Sequence, residues 1–63
     1  MNIIVVTPEN DPDLPWPAGA LELWKFPDAG GIQWLTDNMF RNVTPDEAQA
    51  LLNHYHQTNG GLQ

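Results

Sequence analysis

The sequence predicts a small α+β domain, in which a three-stranded, mainly antiparallel sheet carries one C-terminal helix packed on one of its faces. Three observations predict it: a β-branched run opens the chain, two apolar runs flank a glycine-rich loop, and a helix-capping sequence precedes an amphipathic segment. The order of elements is therefore strand, long loop, hairpin and helix. With 63 residues the chain has room for one domain, which we place over residues 1–63.

The first strand is expected over residues 2–7. Residues 3–6 are all β-branched and Pro8 ends the run, and β-branched side chains favour strands. Because the run is apolar on both faces, we expect this strand to lie in the centre of the sheet or to be covered from both sides.

The segment from residue 8 to residue 19 is expected to be a long proline-rich loop. Proline fixes φ and lacks a backbone donor, so neither a helix nor a strand continues through it. Leu14 and Trp16 should hold the loop by packing onto the body of the domain. Its Pro12–Pro15 spacing matches the PxxP pattern of polyproline ligands, but the neighbours are acidic, and a structural strap is the better interpretation.

A hairpin is expected over residues 20–36, with a five-residue loop over residues 27–31. We place Phe26 opposite Ile32 and Trp24 opposite Trp34, because a shift by one residue would mix apolar and polar side chains on each face. The helix should then cover the face with both tryptophans. The two faces are Trp24, Phe26, Ile32 and Trp34 on one side, and Leu21, Leu23, Lys25, Gln33 and Leu35 on the other.

The helix is expected over residues 45–57, after a connection over residues 37–43 in which Met39 and Phe40 turn inward. Thr44 and Glu47 form a capping box around a proline at the first helical position. Asn59 and the two glycines after it should end the helix, with Gly60 left-handed and the remaining residues frayed. The apolar stripe of this helix is Ala48, Leu51, Leu52 and Tyr55.

The charge of the chain favours a protein partner over a nucleic acid. Two basic residues against eight acidic ones give a net charge of −6. Contacts to phosphates need lysine and arginine, so direct nucleic-acid binding is not expected, although tryptophans can stack on bases. An acidic protein is instead attracted to basic protein surfaces, many of which are built to hold DNA or RNA.

Catalysis is not expected, and no catalytic residues or cofactors are assigned. The chain lacks cysteine and serine, and its threonines have no base beside them. A domain of this size hardly encloses a cleft for paired carboxylates, and the paired glycines of the hairpin lack the lysine of a phosphate-binding loop. The chain also has no membrane-spanning run and no leader, so we expect a cytoplasmic protein without a membrane partner.

Two groups of residues resemble metal ligands, but no metal site is expected. His54 and His56 are two residues apart and would point to different sides of a helix. Glu9, Asp11 and Asp13 alternate like calcium ligands but lack the central glycine and terminal glutamate of an EF-hand loop. A solvated acidic loop is the ordinary interpretation. The same even spacing also permits mimicry of successive phosphates.

One helix covers one face of a sheet, so the face with Leu21, Leu23 and Leu35 should remain open. We therefore expect a small acidic protein-binding module, an inhibitor or modulator of the kind that phages and mobile elements encode. It would dock on a basic surface of a nucleic-acid-processing or host-defence complex. The candidate partner-binding residues are Glu9, Asp11, Asp13, Trp16, Leu21, Glu22, Leu23 and Asp28.

Two alternatives stay open at this point. The acidic charge serves solubility in many small proteins and needs no partner. A different class of function is a structural subunit that forms a homodimer through the open sheet face or through an exposed edge strand.

Overall fold

The computed structural model describes residues 2–60, with side chains through residue 57. It has the expected α+β fold with an antiparallel sheet and one C-terminal helix, but the sheet has four strands instead of three, in the order β1-β2-β3-β4. The elements are β1 (Ile4–Val6), β2 (Glu22–Phe26), β3 (Gly31–Leu35), β4 (Phe40–Asn42) and α1 (Pro45–Gly60).

Strand β4 lies within the segment that the sequence analysis treated as a connection. It pairs with β3 so that Leu35 lies opposite Phe40. The intervening turn closes when the backbone N–H and the hydroxyl of Thr36 both donate to the carbonyl of Met39, each at 2.9 Å. Met39 and Phe40 are exposed, so the prediction that they turn inward is wrong. The turn-forming Asp37 and Asn38 were the available signal for this second hairpin.

The hairpin between β2 and β3 has the register that the sequence analysis rejected. Leu23 lies opposite Trp34, and Phe26 lies opposite Gly31. The loop has four residues because Gly30 takes a left-handed φ of 74° and Gly31 already belongs to the strand. One residue fewer in the loop shifts every pair and moves Trp24 to the face opposite Trp34.

Strand β1 is an edge strand, whereas its apolar sequence predicted a central or doubly covered one. It covers only residues 4–6 of the predicted 2–7 and pairs with β2. The side chains of Ile4 and Val5, which point to opposite faces, are both exposed. The apolar composition does not distinguish an edge strand from a central one. An edge strand as short as β1 exposes few residues, so it can be apolar on both sides.

The core lies between the sheet and α1, on one face only. Its buried side chains are Leu14, Leu23, Trp34 and Leu51, with Trp16 and Tyr55 among those packed against them. The proline-rich segment is therefore held by Leu14 and Trp16, as predicted. Physical size explains why it takes part: a helix is about 10 Å wide, whereas four strands about 4.8 Å apart need more cover.

The N-terminus of α1 is the predicted capping box. The Thr44 hydroxyl accepts the N–H of Glu47 at 3.2 Å, and the Glu47 carboxylate accepts the N–H of Thr44 at 3.0 Å. The helix continues through Gly60, beyond the predicted end at residue 57. The predicted frayed tail, residues 61–63, lies outside the described residues. Leu52, assigned to the apolar stripe, is exposed.

Candidate functional site: the open face of the sheet

The candidate site is the face of the sheet that points away from α1, which we call the open face. Strand register assigns side chains to it, because cross-strand partners share a face and neighbours along a strand alternate. The aromatic and aliphatic members surround Trp24 on β2. The open face consists of Val5, Glu22, Trp24, Phe26, Gln33, Leu35, Phe40 and Asn42.

The helix and the proline-rich segment both cover the opposite face. The Trp16 ring packs on Trp34, with 5.7 Å between ring centroids. Asp11 of the segment contacts α1 directly, since its carboxylate lies 3.1 Å from Nε2 of His54. Because the loop and the helix are joined to each other on this side, the longest connection in the chain does not cover the open face.

An aromatic cluster forms the centre of the open face. Phe40 meets Trp24 edge to face, with ring centroids 5.0 Å apart, and Phe26 lies on the other side of Trp24 at 6.3 Å. Phe40 retains 44% of its accessible surface and Val5 retains 39%. These contacts bury part of Trp24 and Phe26 and leave Phe40 exposed, so the cluster presents an apolar surface that is partly in contact with water.

Polar groups flank this cluster and fix its geometry. The Glu22 carboxylate accepts the indole N–H of Trp24 at 2.8 Å. The Gln33 amide donates to the side-chain oxygen of Asn42 at 2.8 Å, across β3 and β4. An apolar centre with satisfied polar neighbours is the usual composition of a protein–protein contact surface.

A surface depression of about 290 Å³ lies beside the cluster, near the turn between β2 and β3. Its lining residues are Asn2, Phe26, Asp28 and Ala29. The Asp28 carboxylate accepts the backbone N–H of Asn2 at 3.2 Å. The hairpin turn and Asn2, which precedes β1, thus form one small hollow that contains an aromatic ring and a carboxylate.

Both basic side chains are engaged within the molecule. Arg41 forms a bidentate ion pair with Glu47, with N–O distances of 3.0 and 2.9 Å. The Glu47 carboxylate also accepts the indole N–H of Trp34 at 3.0 Å. The hydrogen bonds from Arg41 are the main cause that lowers the pKa of Glu47 to about 2. Lys25 lies over the Tyr55 ring, 4.3 Å from its centroid, on the helix side of the sheet.

The predicted acidic residues do not form one patch. Glu22 belongs to the open face and Asp28 to the adjacent turn, whereas Glu9 and Asp13 are exposed on the proline-rich segment, on the side of the helix. Asp11 is turned toward His54. The middle member of the evenly spaced carboxylate row is therefore only partly exposed and is engaged by a histidine of α1.

The predicted apolar contact residues have different positions. Leu23 is fully buried in the core, so its assignment to an open face is wrong, and the shifted hairpin register is the reason. Leu21 is exposed just before β2. Trp16 is half-buried against Trp34, and its indole donates to the carbonyl of Asp11 at 2.9 Å. It therefore holds the proline-rich segment against the core.

The sequence analysis missed the residues that form the aromatic cluster of the open face, above all Trp24, Phe26 and Phe40. The first two were assigned to the covered face by the wrong register, and the third was assigned to the interior. The four residues between Leu35 and Phe40 contain a turn sequence, which could have placed Phe40 on β4.

Neither a metal centre nor a membrane helix is found within residues 2–60. No group of three or more histidine, aspartate and glutamate side chains in that range is arranged to hold an ion. The single helix of the described range is too short and too polar to cross a bilayer.

No protein-family model, curated protein or solved structure matches the chain, so its function has to be argued from the open face and from the charge around it.

Proposed function

We propose that the protein is an acidic protein-binding module that docks the open face of its sheet on a basic surface of another protein. The observation that carries this proposal is the aromatic cluster of Trp24, Phe26 and Phe40 on a face that neither the helix nor the proline-rich segment covers. Phe40 is exposed, and the other two rings are half-buried. Exposed contiguous apolar surface with polar neighbours marks interaction sites in soluble proteins.

The identity of these side chains suits a binding surface. Tryptophan and other large aromatic residues contribute disproportionately to protein interfaces, because each buries much area at little cost in side-chain entropy. Contacts with Glu22 and Phe40 already hold Trp24 in place. A side chain ordered before association loses less freedom when the partner binds.

The charge of the molecule selects the kind of partner. The net charge is −6. Of the two positive side chains, Arg41 forms an ion pair with Glu47 and Lys25 lies over the Tyr55 ring. A basic partner is attracted at long range and a protein of like charge is repelled. Since basic surfaces commonly serve to hold nucleic acid, we place the module as an inhibitor or modulator of a nucleic-acid-processing or host-defence complex, of the phage or mobile-element kind.

Self-association is the second candidate function, and the outer edge of β1 favours it. Ile4 and Val5 of this edge strand and Ile3 just before it are exposed, and the strand carries no charged side chain that would discourage pairing with another strand. Two copies could join their sheets there. The charge of −6 on each copy opposes this association, which is why we place it second.

Capture of partners by the tagged wild-type protein and two variants tests the proposal. Phe40→Ser removes an aromatic ring from the open face, and Leu52→Ser removes an exposed leucine from the helix as a matched control. We expect a basic protein from a lysate of the native host to be held by the wild type and by Leu52→Ser and lost by Phe40→Ser. Its retention should weaken as salt is raised.

Repetition with purified components decides the result. A captured protein that binds the wild type and Phe40→Ser with equal affinity would contradict docking through the open face, and one whose affinity does not change with salt would contradict the electrostatic part. Sedimentation of the protein alone at micromolar concentration tests the second candidate: a stable dimer, abolished by replacing Ile4 with lysine, would favour self-assembly through β1.

A further inference from the structure

We propose that the depression lined by Phe26 and Asp28 is a specificity pocket for one basic side chain, an arginine or lysine of the partner. This inference rests on the proposed function and adds to it a particular point of recognition. The pocket lies next to the aromatic cluster, because Phe26 belongs to both. A partner seated on the open face would therefore reach it without a second docking site.

The pocket lies between the β2–β3 turn and Asn2, since its lining consists of Phe26, Asp28, Ala29 and Asn2. Phe26 lies opposite Gly31, so the ring has no side chain facing it across the strand pair. A Cβ placed at Gly31 would meet no atom within 4 Å, which shows that the space beside the ring is open. Ala29 adds only a methyl group to the lining. The turn and Asn2 thus form the hollow, and the space on the Gly31 side of the ring is open as well.

The chemistry of the lining suits a cation. A carboxylate attracts a guanidinium or ammonium group, and an aromatic ring attracts it through its negative face. The backbone N–H of Asn2 holds one oxygen of Asp28 at 3.2 Å, which orients the carboxylate at the rim. The exposed lining of the hollow is mainly apolar and suits the methylene stem of a basic side chain, while the Asp28 carboxylate supplies the charge for its head group.

No basic side chain of the described residues occupies this pocket. Within residues 2–60 Asp28 forms no ion pair. Lys25, although next to Phe26 in sequence, points to the opposite face and lies over Tyr55. The charge of Asp28 is available to an incoming group.

The shape of the depression favours a single side chain over a small-molecule ligand. Its volume of about 290 Å³ is at the lower limit of pockets for drug-sized ligands, but it is half open to solvent, whereas such pockets enclose most of the ligand. One arginine or lysine side chain, delivered from a larger surface, needs no such enclosure. The partner supplies the remaining contact area on the aromatic cluster.

Titration with N-acetyl-arginine methylamide, followed through the backbone amide signals of the isotopically labelled protein, tests the pocket. The protein is acetylated at its amino terminus, so that its own terminal ammonium group does not compete with the probe for Asp28. We expect shifts concentrated at Phe26, Asp28 and Ala29, and no such response to N-acetyl-citrulline methylamide, which is similar in shape but neutral. Asp28→Asn should weaken arginine binding at least fivefold.

Two further variants separate the pocket from general charge attraction. Asp13→Asn removes the same charge from an exposed acid of the proline-rich segment and should change the affinity less than twofold. Ala29→Leu keeps all charges, fills the hollow and should abolish the localised shifts. Equal weakening by Asp28→Asn and Asp13→Asn, or shifts spread over all the acidic residues, would overturn the pocket.

Binding of the captured partner and of the probe separates the pocket from the docking surface. If the captured partner depends on Phe40 but binds Asp28→Asn and Ala29→Leu like the wild type, the pocket is wrong and docking through the open face stands. If the probe binds the pocket but no partner depends on Phe40, the cation site stands and the docking surface is wrong.

Discussion

Trp34 and Trp24 lie on adjacent strands of the same sheet, yet their surroundings differ completely. Trp34 is fully buried, and its indole N–H donates to a carboxylate that is itself fixed by Arg41. Trp24 keeps part of its surface in water, and its indole N–H donates to Glu22. Each ring has a hydrogen-bond partner, so the difference lies in what covers the ring. The covered tryptophan supports the fold, and the open one is available for binding.

The largest expected difference in stability is between the variants that remove the Trp34 ring and the Trp24 ring. Trp34→Ala should lower the free energy of unfolding by about 3–5 kcal/mol, because it leaves a cavity in the core and removes one of the hydrogen bonds to the Glu47 carboxylate. Trp24→Ala should cost about 1 kcal/mol. Urea denaturation followed by circular dichroism measures both. Equal losses would contradict the view that only one face holds the fold together.

A second comparison, with an effect of intermediate size, is between Leu14 of the proline-rich segment and Leu52 of α1. Leu14 retains 3% of its surface and Leu52 retains 63%. Leu14→Ala should cost about 2–4 kcal/mol, since the strap loses its buried anchor, whereas Leu52→Ala should change stability by less than about 0.5 kcal/mol. The same denaturation experiment applies. A small loss for Leu14→Ala would mean that the segment is dispensable for covering the helix side.

The smallest of the three effects concerns the carboxylate that links Arg41, Trp34 and the start of the helix. The folded protein lowers the pKa of Glu47 from 4.5 to about 2. Its ionised form therefore stabilises the fold above pH 4.5, and this contribution disappears as the pH falls from 4.5 toward 2. Glu47→Gln should cost about 2 kcal/mol at pH 7 and flatten this part of the pH profile.

Glu9→Gln is the control for this measurement, because Glu9 is exposed and forms no ion pair within the described residues. It should leave the stability at pH 7 and the acid loss unchanged in urea denaturation at pH 7, 4.5 and 2.5. An identical pH profile for Glu47→Gln and the wild type would show that the network around Glu47 does not stabilise the folded state.

Local signals predicted the elements that depend on neighbouring residues. The capping box needs only Thr44 and Glu47, three residues apart, and the structure contains it with both hydrogen bonds. The strap needed only two large apolar side chains among prolines, and Leu14 and Trp16 pack as expected. These features are short-range, so the sequence carries their full description.

The candidate site was not predictable in the same way. Its position depends on whether the loop between β2 and β3 has four or five residues, and Gly31 is compatible with either the loop or the strand. The choice exchanges the faces of Trp24 and Leu23. The burial of Trp34 between Leu23, Leu51 and the Glu47 carboxylate stabilises one register, and that arrangement exists only after the helix has packed.

By itself, the sequence determined the class of the fold, the start of the helix, the acidic charge and the long strap, because each follows from composition or from contacts between near neighbours. Only the tertiary structure decided that β1 is an edge, that a fourth strand forms, and that the strap joins the helix on one side of the sheet. These outcomes depend on contacts between residues far apart in the chain, such as Asp11 with His54. They left an aromatic face open to solvent, since the cover available to this small domain was used on the other side.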